Sequence, residues 1–92
     1  MNYIAVKWKH RKNEYAVEIY SELDRQRNET RKVEVYADGT LSYASASATK
    51  GKAGLGLLPA PELATIANDP QFEPRTISQA EFDANWKKAT SA

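Results

Sequence analysis

Within the first 45 residues lie four stretches of alternating polarity, joined by links too short to carry a crossover. Alternation of this kind has the period of a half-buried strand, and parallel neighbours need connections of about a dozen residues or more. The pattern therefore predicts an antiparallel meander. From Tyr3 to His10, Ile4, Val6 and Trp8 alternate with Tyr3, Ala5, Lys7 and Lys9. After the polar link Arg11, Lys12 and Asn13, a second run sets Tyr15, Val17 and Ile19 against Glu14, Ala16, Glu18, Tyr20 and Glu22. The charged stretch from Ser21 to Asn28, apolar only at Leu23, reads as a turn or a single helical turn. In the third run Val33 and Val35 alternate with Lys32, Glu34 and Tyr36. Asp38-Gly39 then supplies a turn dipeptide able to adopt positive φ, and Leu41 and Tyr43 resume the alternation.

Beyond these strands the composition shifts. Residues 46–58 are rich in alanine and glycine and read as a flexible connector. Pro61 suits a first helical position, with Leu63 and Ile66 forming a short apolar stripe that ends near Asn68-Asp69-Pro70. Ser78 is a helix N-cap with Glu81 three residues on; Ile77 and Phe82 occupy the staple positions, and Phe82 and Trp86 share a face. The expected architecture is a single α+β domain over 1–92: a four-stranded antiparallel meander sheet over 1–45, the connector over 46–58, and two C-terminal helices over 60–90. The layer expected to meet the helices is Ile4, Val6, Trp8, Val17, Ile19, Val33, Val35, Leu41 and Tyr43, packed on Leu63, Ile66, Phe82 and Trp86. Tyr3, Tyr20 and Tyr36, with Lys7, Lys9, Glu18, Glu22, Lys32 and Glu34, are expected to face solvent.

Composition narrows the functional classes. At 92 residues the chain supports one core. With 41% hydrophobic and 27% charged residues, it offers no stretch for a membrane span. The absence of cysteine excludes disulfides and thiolate chemistry and favours a reducing compartment. Met1-Asn2-Tyr3 runs straight into a strand pattern rather than a signal peptide, so a cytoplasmic protein beginning at Met1 is expected. Thirteen basic residues against 12 acidic ones leave a charge of +1, which gives no global drive toward nucleic acid.

Catalytic and metal chemistry find few residues to work with. His10 is the single histidine. Joined with Glu22 and Arg31 it would supply the acid, base and phosphate clamp of a metal-independent ribonuclease, although nothing in the spacing makes the three converge. The run from Gly51 to Gly56 lacks the Gly-Lys-Ser/Thr ending of a phosphate loop. Glu22, Asp24 and Glu29 have no metal-loop spacing, so neither a metal nor a cofactor is expected. A non-enzymatic protein-binding module fits better. Tyrosines on a charged sheet face suit a protein interface, and the signature of an RNA recognition motif is missing, which disfavours nucleic acid as the partner. The candidate partner-binding residues are His10, Glu18, Tyr20, Glu22, Asp24, Arg31, Glu34 and Tyr36. Small RNA binding or processing is the alternative.

Val6-Lys7-Trp8-Lys9-His10, Ile19-Tyr20-Ser21-Glu22-Leu23-Asp24, Arg31-Lys32-Val33-Glu34 with Asp38-Gly39, and Asp69-Pro70 through Phe82 and Trp86 mark a resemblance that spans nearly the whole chain. The chain resembles a family of small bacterial domains of unassigned function, with Trp-x-His on the first strand and Tyr-Ser-Glu-Leu-Asp at the end of the second. The resemblance implies a place among immunity proteins of polymorphic toxin systems, including contact-dependent growth inhibition. On that implication the partner is a cognate toxin domain, such as a nuclease, and the chain blocks its active site stoichiometrically. The motif residues carried over are Trp8, His10, Tyr20, Ser21, Glu22, Leu23, Asp24, Arg31 and Glu34.

Overall fold

The alternating runs become strands, and two further strands join them. The computed structural model describes residues 1–12 and 14–91. Asn13, in the first polar link, and Ala92, at the end of the domain span, lie outside the described residues. The strands are β1 (Asn2–Trp8), β2 (Glu18–Leu23), β3 (Glu29–Val35), β4 (Leu41–Ser45), β5 (Thr49–Lys50) and β6 (Phe72–Thr76). Helix α1 (Leu63–Ala67) precedes β6, and α2 (Gln79–Ser91) follows it. The sheet is six-stranded in the order β5-β4-β3-β2-β1-β6, with every neighbouring pair antiparallel. The α+β class stands, with six strands in place of the expected four. β5 is only two residues long, and β6, Phe-Glu-Pro-Arg-Thr, carries no clean alternation. As an edge strand, β6 tolerates Pro74, whose missing N–H would break the ladder of a central strand.

Local chemistry accounts for the turns. Gly39 takes φ +88°, and Asp38 Oδ1 accepts from the Thr40 amide at 3.0 Å, closing the β3–β4 hairpin. Between β2 and β3 there is no helical turn: Asp24 Oδ1 accepts from the amides of Gln26 and Asn28, each at 2.9 Å. Arg27 sits there at φ +66°, a conformation that disfavours a non-glycine residue.

Register sorts the strand residues into two faces, of which α2 covers one. Tyr3 lies opposite Glu22, which lies opposite Arg31, while Tyr20 pairs with Ala5 and Val33, and Val33 with Tyr43. These residues form one face, and α2 covers it with Phe82, Trp86 and Ala89. Phe82 is wholly buried, its ring 5.5 Å from that of Tyr3, and Trp86 meets Tyr43 edge-on at 5.3 Å. Burying a side chain of this size stabilises the fold by about 2–3 kcal/mol. Ser78 Oγ accepts from the Glu81 amide at 3.1 Å and buried Ile77 precedes it, as the cap reading expected.

Ile4, Val6 and Ile19 lie on the opposite face with Ser21, Lys32 and Glu34. The expected inner layer thus combined residues from both faces, and the face expected to meet solvent at Tyr3, Tyr20 and Glu22 is the helix-covered one. β1 carries apolar or aromatic residues on both sides, and period-two alternation fixes the two sets without saying which set α2 takes.

The second face is crossed by the segment expected to be a flexible connector. The structure ties it down at several points: Gly56 N donates to Glu29 Oε1 at 2.6 Å, Lys32 Nζ to Gly54 O at 3.0 Å, and Ala60 N to Arg27 O at 2.7 Å. Arg27 adds Nε to Ala60 O at 3.0 Å and Nη2 to Pro61 O at 2.7 Å, bonds that hold its left-handed backbone in place. This strap and α1 cover only part of the face. Among the described residues, no helix is long and apolar enough to cross a membrane.

Candidate functional site

Five of the eight candidate residues, Glu18, Tyr20, Glu22, Asp24 and Arg31, are tied to one another, to α2 or to their own turn. Arg31 donates Nε to Glu22 Oε1 at 2.9 Å and Nη2 to Glu22 Oε2 at 2.7 Å, a bidentate pair. Thr30 Oγ1 adds a bond to Glu22 Oε1 at 2.7 Å, and Asp83 of α2 accepts from Arg31 at 3.1 Å. The guanidinium also lies 4.8 Å from the Phe82 ring centre and 5.2 Å from that of Trp86. Arg31's bonds, helped by Thr30 and Tyr3 and opposed by burial, hold the Glu22 carboxyl down at about 2. The same bonds push Arg31 up. Burial, then the Glu22 carboxylate, pushes the Tyr3 hydroxyl up.

Tyr20 donates to Glu18 at 2.8 Å, and burial followed by that carboxylate pushes its hydroxyl to about 12. Arg75 of β6 bridges Glu18, at 3.9 Å, and Glu81 of α2, at 2.9 Å. Asp24 caps its turn. These side chains tie the sheet to α2 and to itself, and Glu22 and Tyr20 are buried.

His10, Glu34 and Tyr36 lie toward the open face, away from this cluster. His10 Nε2 pairs with Ala16 O at 2.7 Å, and its Nδ1 accepts from the Lys12 amide at 3.0 Å, so both ring nitrogens fasten the β1–β2 loop. The ring packs edge-on against Trp8 at 4.7 Å. Trp8 Nε1 is buried without a hydrogen-bond partner among the described residues. Glu22 faces Tyr3 near the start of β1, whereas His10 lies beyond its end, on the order of 20 Å away along the strand. The structure therefore does not bring together His10, Glu22 and Arg31. Among the described residues, no group of three or more histidine or acidic side chains is placed to hold a metal.

A site absent from the candidate set lies on the partly covered face. Ile4, Val6 and Ile19 floor a groove of about 360 Å³, walled by Phe72 and by Pro61 and Ile66 of the strap and α1. One end is polar but internally satisfied: Ser21 donates to Glu29 at 2.9 Å, and Lys32 pairs with Glu29 at 2.9 Å. Beside Gly56, the strap presents Leu57 and Leu58, 98% and 79% exposed. Adjacent exposed leucines next to an apolar groove are characteristic of an interaction surface. The available signal was Leu57-Leu58 itself, an apolar pair within a run read as a flexible connector.

The chain belongs to a family described as a domain of unknown function (DUF6881), whose model matches residues 2–91. Membership in DUF6881 agrees with the resemblance to a family of unassigned function covering nearly the whole chain. No curated protein and no solved structure matches it.

Proposed function

We propose that this DUF6881 domain is a non-enzymatic protein-binding module, acting in the bacterial cytoplasm as an immunity protein that occludes the active site of a cognate toxin. The observation that carries the reading is the asymmetry of the sheet: one face is closed by α2, and the other keeps an apolar groove open beside the exposed Leu57 and Leu58. A surface of this kind, apolar at its centre and rimmed by charge, suits a protein partner. The non-enzymatic part is supported by His10, whose two ring nitrogens are engaged within its own loop, and by its distance from Glu22 and Arg31. The immunity role draws on the resemblance of the Trp8-x-His10 and Tyr20-Ser21-Glu22-Leu23-Asp24 motifs. With Glu22, Glu18 and Asp24 engaged internally, the contact surface moves from the acidic side chains to the strap and groove.

The test is capture of the tagged full chain from its native host, followed by calorimetry with the purified co-captured protein. A one-to-one complex weakened at least tenfold by Leu57→Ser with Leu58→Ser supports the reading, since a few anchors dominate such interfaces. Recovery of RNA instead, with affinity falling steeply as salt rises, overturns it.

A further inference from the structure

At the other end of the open face, a second cleft of about 290 Å³ lies between the β1–β2 loop and the end of β3. Trp8 and Tyr15 form one wall, their rings 5.4 Å apart, and Tyr36 lines the other. Buried Ala16 lies between them, small enough to leave the space empty. Glu14 of the loop and Glu34 of β3 also line it, each bringing a carboxylate. Glu34 accepts from Tyr36 Oη at 3.1 Å and keeps lone pairs free, and Glu14 has no ion pair or side-chain hydrogen bond among the described residues. Aromatic faces and carboxylates around one small cavity attract a cation twice over, through the ring quadrupoles and through charge. The loop already shows this preference, with Lys12 Nζ lying 5.6 Å from the Tyr15 ring centre.

We propose that this cleft takes an arginine or lysine side chain of a protein partner, the cation lying against the rings of Trp8, Tyr15 and Tyr36 and between Glu14 and Glu34. That the guest comes from a protein rests on the protein-binding reading above; the preference for a cation does not. Arginine is favoured over lysine, because a planar guanidinium stacks on a ring and forks to a carboxylate at once. Lys52, which also lines the cleft and has no ion pair among the described residues, opposes any cationic guest. Its charge gives the proposal a sign that can be checked: removing it strengthens binding.

The experiment is a titration of the full chain with N-acetyl-arginine methylamide and its lysine counterpart, read from the NMR resonances of the Trp8, Tyr15 and Tyr36 rings. N-acetyl-citrulline methylamide serves as the uncharged isostere of arginine. Saturable shifts with the cationic probes are expected, about fivefold weaker or more with citrulline, weakened by Glu14→Gln or Glu34→Gln and strengthened by Lys52→Gln. Glu14 and Lys52 are exposed, so their variants keep the fold and carry the test even where Glu34→Gln disturbs the turn. Equal shifts with citrulline, or no ring shift with any probe, overturn the proposal. A successful protein capture with a failed titration removes the cleft alone. A saturable titration with no protein captured removes the protein-binding reading and leaves a cation site.

Discussion

The two faces of one sheet are built from the same strands yet are finished differently. On the α2 side, the central polar groups are drawn into the packing: the Glu22–Arg31 pair is clamped by Thr30 and Asp83 and roofed by Phe82 and Trp86. On the other side, the polar groups of Glu29, Lys32 and Arg27 hold down a strap, while the apolar floor of Ile4, Val6 and Ile19 stays partly uncovered. Charge serves the core on one face and positions a surface on the other.

The comparison breaks most directly at the centre of each face. Phe82→Ala opens a cavity in a wholly buried site and is expected to cost about 3–5 kcal/mol in denaturant unfolding. Ile19→Ala, on the half-buried floor of the groove, is expected to cost about 1–2 kcal/mol, because water already reaches part of the space it leaves. Equal losses would mean that the two faces contribute alike and that the groove is part of the core.

The next largest effect belongs to the buried ion pair. Glu22→Gln leaves Arg31 without its main partner and is expected to destabilise by about 3 kcal/mol. Because the folded Glu22 carboxyl is depressed, its contribution is present above the ordinary value of 4.5 and is lost as pH falls from there through about 2. Unfolding followed across that window should show the parent losing stability with acid and Glu22→Gln lacking that part of the loss. Parallel curves would assign the acid sensitivity to other carboxylates.

A smaller effect is expected at the strap. Glu29→Gln weakens the bonds to Ser21, Lys32 and Gly56 together, and a cost of about 1–2 kcal/mol is expected. Hydrogen exchange at the Gly56 amide gives the sharper reading: its protection should fall while the amides of β2 and β3 keep theirs. Protection lost everywhere would show that the strap is part of the cooperative core rather than a layer laid over it.

Much of the fold was legible in local pattern: the alternation of β1 to β4, the Asp38-Gly39 hairpin and the Ser78 cap each report on a few neighbouring residues. What was not legible depends on distant partners. β6 is a strand because β1 has a free edge, and Pro74 and Arg75 give little sign of it. The connector is held by Glu29, Lys32 and Arg27, residues 22 or more positions away along the chain. Of the candidate residues, Glu18, Tyr20, Glu22 and Arg31 lie on the face that α2 covers. Tyr20, Glu22 and Arg31 read as interface chemistry for the same reason that they make a good buried network: aromatic rings and paired charges serve either end. Composition does not distinguish the two, and the docking of α2 on one face does.

The smallest expected effect on stability is at Leu57 and Leu58, and it sets the two faces furthest apart. Side chains 98% and 79% exposed contribute almost nothing to the folded chain alone, so Leu57→Ser with Leu58→Ser should stay within about 0.5 kcal/mol of the parent in unfolding. Keeping exposed leucines invites aggregation, so their presence on a pinned strap calls for a compensating role. If they are interface anchors, the double variant folds as before, is more soluble, and loses the partner. If it unfolds early, the leucines pack in solution as they do not in this structure, and the open face closes on itself. Thermal unfolding and light scattering on the same sample separate these cases: unchanged unfolding with less scattering points to a surface kept for binding, and a lowered midpoint to a hidden part of the core.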